Sequence, residues 1–240
     1  MTSSIDTPSQ EGIQVVGREV RSMFGAIAGR YDLANSVLSM GIHKWWRSRL
    51  AKIWKNVGAE QPVLDLCCGT GDILFELRKS FPEAYGADFC LPMMRCGQAR
   101  SPDTPFLQAD ALHLPFQDQT FGLITVAFGV RNLESVEQGL TEMLRVLKPN
   151  GTLLVLEFGQ PRNVMWRMIF DFYSGTILPF IGELVTGNRS AYEYLPKTSK
   201  NFPCRELFKA KVKSVGFAEA SYTSLTGGVA YIYTCTKGPS

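Results

Sequence analysis

The sequence predicts an α/β fold built on a mostly parallel sheet with helices on both faces. Two observations carry that expectation. From residue 62 onward, short apolar runs of strand character alternate with amphipathic stretches of helical period, the pattern of repeated βα units. The first such run passes into a tight glycine loop and then a helix, "LDLCCGTGDILFEL" at residues 64–77. Strand, glycine loop and helix in that order present unpaired helix N–H groups at a ligand site.

Residues 1–11 are polar and predict a disordered tail without the basic-plus-apolar pattern of a secretion or import signal. Residues 12–240 predict a single domain with one sizeable core. Its first part, 12–58, reads as a helical cap. Between 43 and 55, Lys44, Arg47, Arg49, Lys52 and Lys55 alternate with Trp45, Trp46, Leu50, Ile53 and Trp54, and no acid intervenes. Two readings stay open: an aromatic face packed on the core with a solvated basic face, or a helix that also rests on an anionic membrane surface. Strands follow near 62–67, 84–88, 105–109, 122–128 and 152–158, with helices near 72–80, 91–99 and 136–147. Ser135 and Gln138 give the last helix the look of a capping box, and Val136, Leu140, Leu144 and Leu147 form its inward stripe. "KPNG" at 148–151 reads as a turn. An aromatic-rich insertion at 161–202 interrupts the alternation, and Asp171 and Glu183 make its apolar stretch too polar to span a bilayer. A helix near 205–215 and two strands near 217–223 and 229–236 then close the sheet as a hairpin.

Composition narrows the function. The chain is 45% apolar and 20% charged, with a formal net charge of +3. So small an excess argues against a general nucleic-acid binder. The six cysteines lack C-x-x-C spacing, which argues against zinc and a disulfide framework and for reduced thiols in the cytosol. Cys67 and Cys68, read as strand residues pointing to opposite faces, serve packing.

The loop itself excludes some ligands. A dinucleotide fingerprint needs a third glycine three residues after Gly71, and that residue is Leu74. Asp72, at the first helical position, would repel a phosphate. Asp88 closes the next apolar run, where a carboxylate can accept both hydroxyls of a ribose. A nucleoside without phosphate fits these residues best, and a nicotinamide-linked oxidoreductase is disfavoured.

Five stretches carry a closer resemblance: "MFGAIAGRYDLANSVLSMGIHKWWR", "LDLCCGTGD", "LPFQDQTFGLITVAFGVRNL", "EMLRVLKPNGTLLVLEF" and "YEYLPKTSKNFP". Over roughly residues 20 to 236 the chain resembles the ubiquinone/menaquinone biosynthesis C-methyltransferase family. The resemblance implies a Rossmann-like class I methyltransferase fold: a mostly parallel seven-stranded sheet, an antiparallel last strand and a helical N-terminal cap. It implies S-adenosyl-L-methionine as cofactor, no metal, and a cofactor set of Asp65, Gly69, Thr70, Gly71, Asp88, Asp110, Ala111 and Ala127. Thr70 and the loop amides fall at the methionine end, Asp88 at the ribose, and Asp110 with Ala111 at the adenine. Ala127 stands where proteobacterial members carry serine.

The implied substrate is a membrane-resident prenylated quinol, met by peripheral contact at the inner, cytoplasmic face of the membrane; a homodimer is an open arrangement. A ring carbon is a poor nucleophile unless the adjacent hydroxyl is ionised, so the quinol, not the quinone, must react. Arg131 is expected to stabilise the phenolate, Asn132 to orient the hydroxyl or a water, Tyr31 to hydrogen-bond from the cap, and Asp32 to act as base. Arg131 as a loop tie, and Tyr31 and Asp32 as pins for the cap, are the structural alternatives. His43 and His113 read as packing residues. "LDLCCGTGD" looks more like the menaquinone branch than the ubiquinone branch. A catalytically silent cofactor-binding subunit of a quinone-biosynthesis complex is the rival reading.

Overall fold

The computed structural model describes residues 20–239; the tail expected at 1–11 and the start of the cap lie outside the described residues. Seven strands form one sheet: β1 (Val63–Leu66), β2 (Ala84–Asp88), β3 (Phe106–Gln108), β4 (Phe121–Ala127), β5 (Leu147–Phe158), β6 (Glu219–Leu225) and β7 (Ala230–Thr236), in the order β3-β2-β1-β4-β5-β7-β6. β1 to β5 pair in parallel, and β7 runs antiparallel between β5 and β6. The order reverses between β1 and β4, the point at which such sheets open a crevice beyond their carboxyl ends.

Helices pack on both faces. On one side Leu64, Leu66, Ile124, Val126, Leu153 and Val155 meet Leu140 and Met143 of α5 (Val136–Val146) and Phe208 and Val212 of α9 (Glu206–Val215). On the other, Val63, Leu123, Leu154 and Leu156 meet Trp46, Leu50 and Trp54 of α2 (Ile42–Val57) and Leu74 and Leu77 of α3 (Asp72–Arg78). Alternate strand residues thus feed two cores, and a strand covered on both faces reads in sequence as a continuous apolar run. α4 (Leu91–Arg100) links β2 to β3.

Several boundaries differ from expectation. β1 stops at Leu66, because Cys67 turns into the left-handed region at φ 56°; the two cysteines lie in the turn, not on opposite strand faces. β5 begins at Leu147, so the "KPNG" segment is a kink within the strand, with Asn150 at φ 59° and a register shift between Phe121 and Leu123 opposite it. Only half of the capping box forms: Ser135 Oγ accepts from the Gln138 amide at 3.2 Å, whereas the Gln138 side chain donates to the Leu112 carbonyl.

The cap comprises a helical segment at 20–27, a short turn at Ala28–Arg30, α1 (Tyr31–Leu38) and α2. The aromatic face of α2 is buried, with Trp46 and Trp54 at 4% and 1% exposure, while Lys44, Trp45, Arg49, Lys52 and Lys55 face outward. Arg47 departs from the expected basic face: it turns inward and pairs with Asp72. The insertion folds as α6 (Val164–Phe172), a π-helical turn (Tyr173–Ile177), α7 (Leu178–Thr186) and α8 (Arg189–Asn201). Cap and insertion share a cluster of Ile27, Ala34, Leu38, Leu178, Ala191 and Tyr192, and the Tyr173 hydroxyl donates to the Leu38 carbonyl. The stretch Val164–Thr186, 23 residues with a mean hydropathy of 1.3, is long and apolar enough to cross a membrane, so Asp171 and Glu183 do not make it too polar, as the sequence led us to expect. Both acids are paired, Asp171 with Lys200 at 3.5 Å and Glu183 with Arg189 at 3.3 Å.

Candidate active site

Two cavities meet at the carboxyl ends of β1 and β4. The smaller, about 440 Å³, is lined by Asp88, Phe89, Met93, Asp110, Ala111, Leu112, Asn132 and Leu133, with Arg21 and Phe24 contributed by the cap. Asp88, 7% exposed, is held by two backbone amides: Gly69 N and Cys90 N each donate to its carboxylate at 2.8 Å. Burial pushes the Asp88 carboxyl up, and the amides of Cys90, Gly69 and Phe89 pull it back. Asp110 is exposed, its Oδ1 accepting from Leu112 N at 2.9 Å, and the Ala111 backbone beside it is buried. A carboxylate at one end, an acid–alanine pair at the other and apolar walls between suit a flat base on a ribose.

The larger cavity, about 610 Å³, lies between cap and insertion and is mostly apolar, with Leu38, Trp46, Phe128, Phe158, Phe170 and Tyr173 among its walls. Asp65 reaches its floor. Thr125 Oγ1 donates to Asp65 Oδ1 at 2.7 Å, while Oδ2 is buried with no partner among the described residues. Burial pushes this carboxyl up to about 7, with Asp88 adding to the shift and the Thr125 hydrogen bond opposing it. A buried carboxylate with one free oxygen is a cradle for a cation.

Cys67, Gly69, Tyr31, Ala127 and Phe128 border both cavities. Two of them are strained: Cys67 and Phe128 each hold φ 56°, a conformation costing non-glycine residues about 1–3 kcal/mol, which persists where the surroundings impose it. Gly129 permits the pair, since a Cβ there would lie 2.5 Å from Cys67 Cβ. The Phe128 carbonyl accepts from Arg131 Nη1 at 2.6 Å and from Asn132 Nδ2 at 3.2 Å, and Arg131 Nη1 also meets Glu157 Oε1 at 2.7 Å, with side-chain exposures of 4% and 0% for the ion pair. Arg131 lines the larger cavity, yet its charge is neutralised by Glu157. The geometry makes Arg131 a tie for the wall, not a free cation aimed at a phenolate. Asn132 borders the smaller cavity only, not the larger one that Arg131 lines.

Thr70 borders the same cavity as Asp65, whereas Asp32 and Gly71 are placed differently from expectation. Thr70 Oγ1 donates to Asp32 Oδ1 at 2.8 Å and borders only the larger cavity. Asp32 also pairs with Arg100 at 2.8 Å, so both of its oxygens are engaged and it is no free base. Gly71 borders neither cavity: its φ of 85° and a would-be Cβ 2.6 Å from Phe106 make it the hinge of the loop. Arg100 and Arg47 both pair with Asp72, drawing its carboxyl below the ordinary range against the opposing effect of burial, and they bind the cap to the first turn of α3. Phe89, Met93, Leu112 and Phe128 were missed in the sequence. Phe89, Leu112 and Phe128 each follow a singled-out residue (Asp88, Ala111 and Ala127), the only signal there was; Met93 carried none.

The model of the ubiE/COQ5 methyltransferase family matches residues 13–237. The chain belongs to this family. It is 43% identical over 224 residues to the ubiquinone/menaquinone biosynthesis C-methyltransferase UbiE of Bdellovibrio bacteriovorus, covering 90% of this chain and 95% of the relative. It is also 43% identical to the demethylmenaquinone methyltransferase of Thermus thermophilus (88% and 98% covered) and 38% identical to that of Porphyromonas gingivalis (91% and 93%). Among solved structures, an S-adenosylmethionine-dependent methyltransferase of Thermotoga maritima, described as a possible histamine N-methyltransferase, superposes with a TM-score of 0.64 at 16% identity, covering 90% of this chain and 99% of that one. The fold is therefore that of the class I S-adenosylmethionine-dependent methyltransferases, and this ubiE/COQ5 member is an S-adenosyl-L-methionine-dependent C-methyltransferase. Its residues fit the cofactor: Asp88 and the Asp110–Ala111 pair would hold the nucleoside, and the unpartnered Asp65 oxygen would hold the methionine ammonium. The bound cofactor supplies an electrophilic methyl group.

Proposed function

We propose that the protein methylates a ring carbon of a reduced, polyprenylated naphthoquinol, converting demethylmenaquinol to menaquinol. One observation carries the reading: an apolar cavity of about 610 Å³ shares its inner wall with the nucleoside cavity and has exposed apolar side chains at its mouth. Met40 and Ile169 line that cavity at 75% and 56% exposure, and Leu33, Val37, Met165, Met168, Phe172, Phe180 and Leu184 extend the apolar surface along α1, α6 and α7. Isolated exposed apolar residues are ordinary, but a clustered surface of this kind at a cavity mouth suits a membrane interface. A prenyl tail can remain in the lipid while the ring enters. Association is peripheral, at the cytoplasmic face: Val164–Thr186 is engaged with the cap through Tyr173 and Leu178, and Lys44, Arg49, Lys52 and Lys55 are available to anionic headgroups. The names of the Thermus and Porphyromonas relatives, both demethylmenaquinone methyltransferases, support the naphthoquinol reading.

The chain's own part is positioning and proton handling. Aromatic walls hold the ring flat against the Cys67–Phe128 partition, where alignment contributes much of the rate. Tyr31, which borders both cavities, hydrogen-bonds a ring oxygen in this reading. Transfer of labelled methyl to reduced demethylmenaquinol, beside a reduced methoxy-benzoquinol analogue, tests the reading. The naphthoquinol is expected to be preferred. In anionic vesicles, a Met165→Ser, Phe172→Ser, Leu184→Ser variant should slow long-chain turnover and leave a short-chain quinol unaffected. Preference for the benzoquinol would move the protein to the other branch, and binding of cofactor without transfer to any quinol would favour a silent subunit.

A further inference from the structure

Carbon methylation of a quinol needs an acceptor for the hydroxyl proton, and the structure denies that role to Asp32. Of the other proton acceptors among the described lining residues, Asp65 is taken up by the cofactor's ammonium and Asp72 and Asp171 by ion pairs, which leaves His43. His43, in the first turn of α2, lines the cavity at 6% exposure and faces Ser39, with 2.5 Å between Nδ1 and Ser39 Oγ. Ser39 Oγ spends its own hydrogen on the Asn35 carbonyl at 2.6 Å. It can therefore only accept from the ring, which fixes the proton on Nδ1 and leaves Nε2 as a lone pair. Nε2 has no protein partner among the described residues. We propose that His43 Nε2 accepts the hydroxyl proton of the quinol during methyl transfer, with Ser39 as the residue that sets its tautomer. The proposal rests on the quinol reading above.

The charged groups around the ring agree with this role. Burial holds His43 down to about 4, Arg47 and Lys44 push in the same direction, and Asp72 opposes them, so the ring is neutral at physiological pH. So weak a base does not ionise a resting phenol, whose pKa is near 10. It does not need to. As the ring carbon bonds to the methyl and the carbon–sulfur bond breaks, with its electron pair leaving on sulfur, the ring becomes a dienone and the hydroxyl turns strongly acidic. The O–H proton then passes to Nε2 within the same event. The new sp3 carbon next loses its hydrogen to water as a proton, the oxygen recovers a proton from His43, and aromaticity returns. One proton is released overall and His43 ends neutral.

The test compares the wild type with His43→Ala in single-turnover transfer to reduced short-chain demethylmenaquinol across a pH range, with S-adenosylhomocysteine affinity measured by calorimetry. The variant should keep its affinity within about threefold and lose about a hundredfold in rate near neutral pH. Its rate should climb about tenfold per pH unit toward the quinol's own pKa and be partly restored by added imidazole, which fits the space left by the ring. His43→Gln, which fills the space and accepts a hydrogen bond but no proton, should lose as much rate and not respond to imidazole. A variant within about threefold of wild type near neutral pH, or one whose loss is the same at every pH and insensitive to imidazole, overturns the proposal. Wild-type protein that methylates no quinol overturns the underlying reading, and the proposal with it.

Discussion

Asp65 shows how one residue type can serve two demands. Its carboxyl sits in the core of β1, where burial favours the neutral acid, yet the cofactor's ammonium requires the carboxylate. With a folded-state value near 7, above that of the unfolded chain, ionised Asp65 costs stability, and the cost grows from the unfolded value up to about pH 7. Binding that demands the charged form must therefore release a proton below that pH. S-adenosylhomocysteine affinity should weaken as pH falls through about 7, and the binding enthalpy near pH 6 should vary with the ionisation enthalpy of the buffer. Asp65→Asn should abolish the buffer dependence and weaken binding roughly ten- to a hundred-fold. Unchanged affinity in a folded variant would remove Asp65 from the site. Its presence in an apolar strand just before the glycine loop was visible in the sequence; its missing partner was not, because that depends on Thr125, sixty positions away on β4.

At the scale of elements, the turn after β4 is tied to β5 through one buried ion pair. Arg131 and Glu157 are 26 positions apart, and Glu157 Oε1 also accepts from Phe158 N at 2.9 Å. Removing one partner of such a pair strands the other charge in the core. Arg131→Ala should destabilise the protein by about 3–5 kcal/mol, read by denaturant unfolding, and adding Glu157→Gln should recover part of that loss. A stable Arg131→Ala protein with ordinary cofactor binding but little turnover would instead restore Arg131 as a charge acting on the quinol. Here the sequence was legible only to a point. Parallel strands buried on both faces announce themselves as apolar runs, so β1, β4 and β5 fell within a few residues of their predicted places, apart from the start of β5, and β2 and the exposed edge strand β3 fell as close. Side chains paired across elements leave no local pattern: a loop tie for Arg131 and a cap pin for Asp32 were open alternatives in the sequence, but their partners, Glu157 and Thr70, and the pairing of Arg47 with Asp72 were not legible. The insertion hid its three helices, because aromatic and glycine residues with proline at positions 179 and 196 blur helical periodicity.

Across the whole molecule, the fold places two cavities back to back at the switch point of the sheet, with a strained partition between them. Cap and insertion, distant in sequence, close the outer cavity together through the cluster around Leu38, Leu178 and Tyr192. In the proposed reading the exposed apolar side chains of α1, α6 and α7 give a lipid-borne substrate its way in, while the nucleoside cavity is lined on the cap side by Arg21 and Phe24 from the segment at 20–27. That division of labour is the central claim, and a structure of the ternary complex with S-adenosylhomocysteine and a reduced short-chain naphthoquinol tests it most directly. The nucleoside is expected against Asp88 and Asp110, its amino-acid end against Asp65, and the naphthalene ring across the Cys67–Phe128 partition in the larger cavity with a hydroxyl at His43. Both ligands competing for one cavity, or the ring seated on the nucleoside side, would contradict it.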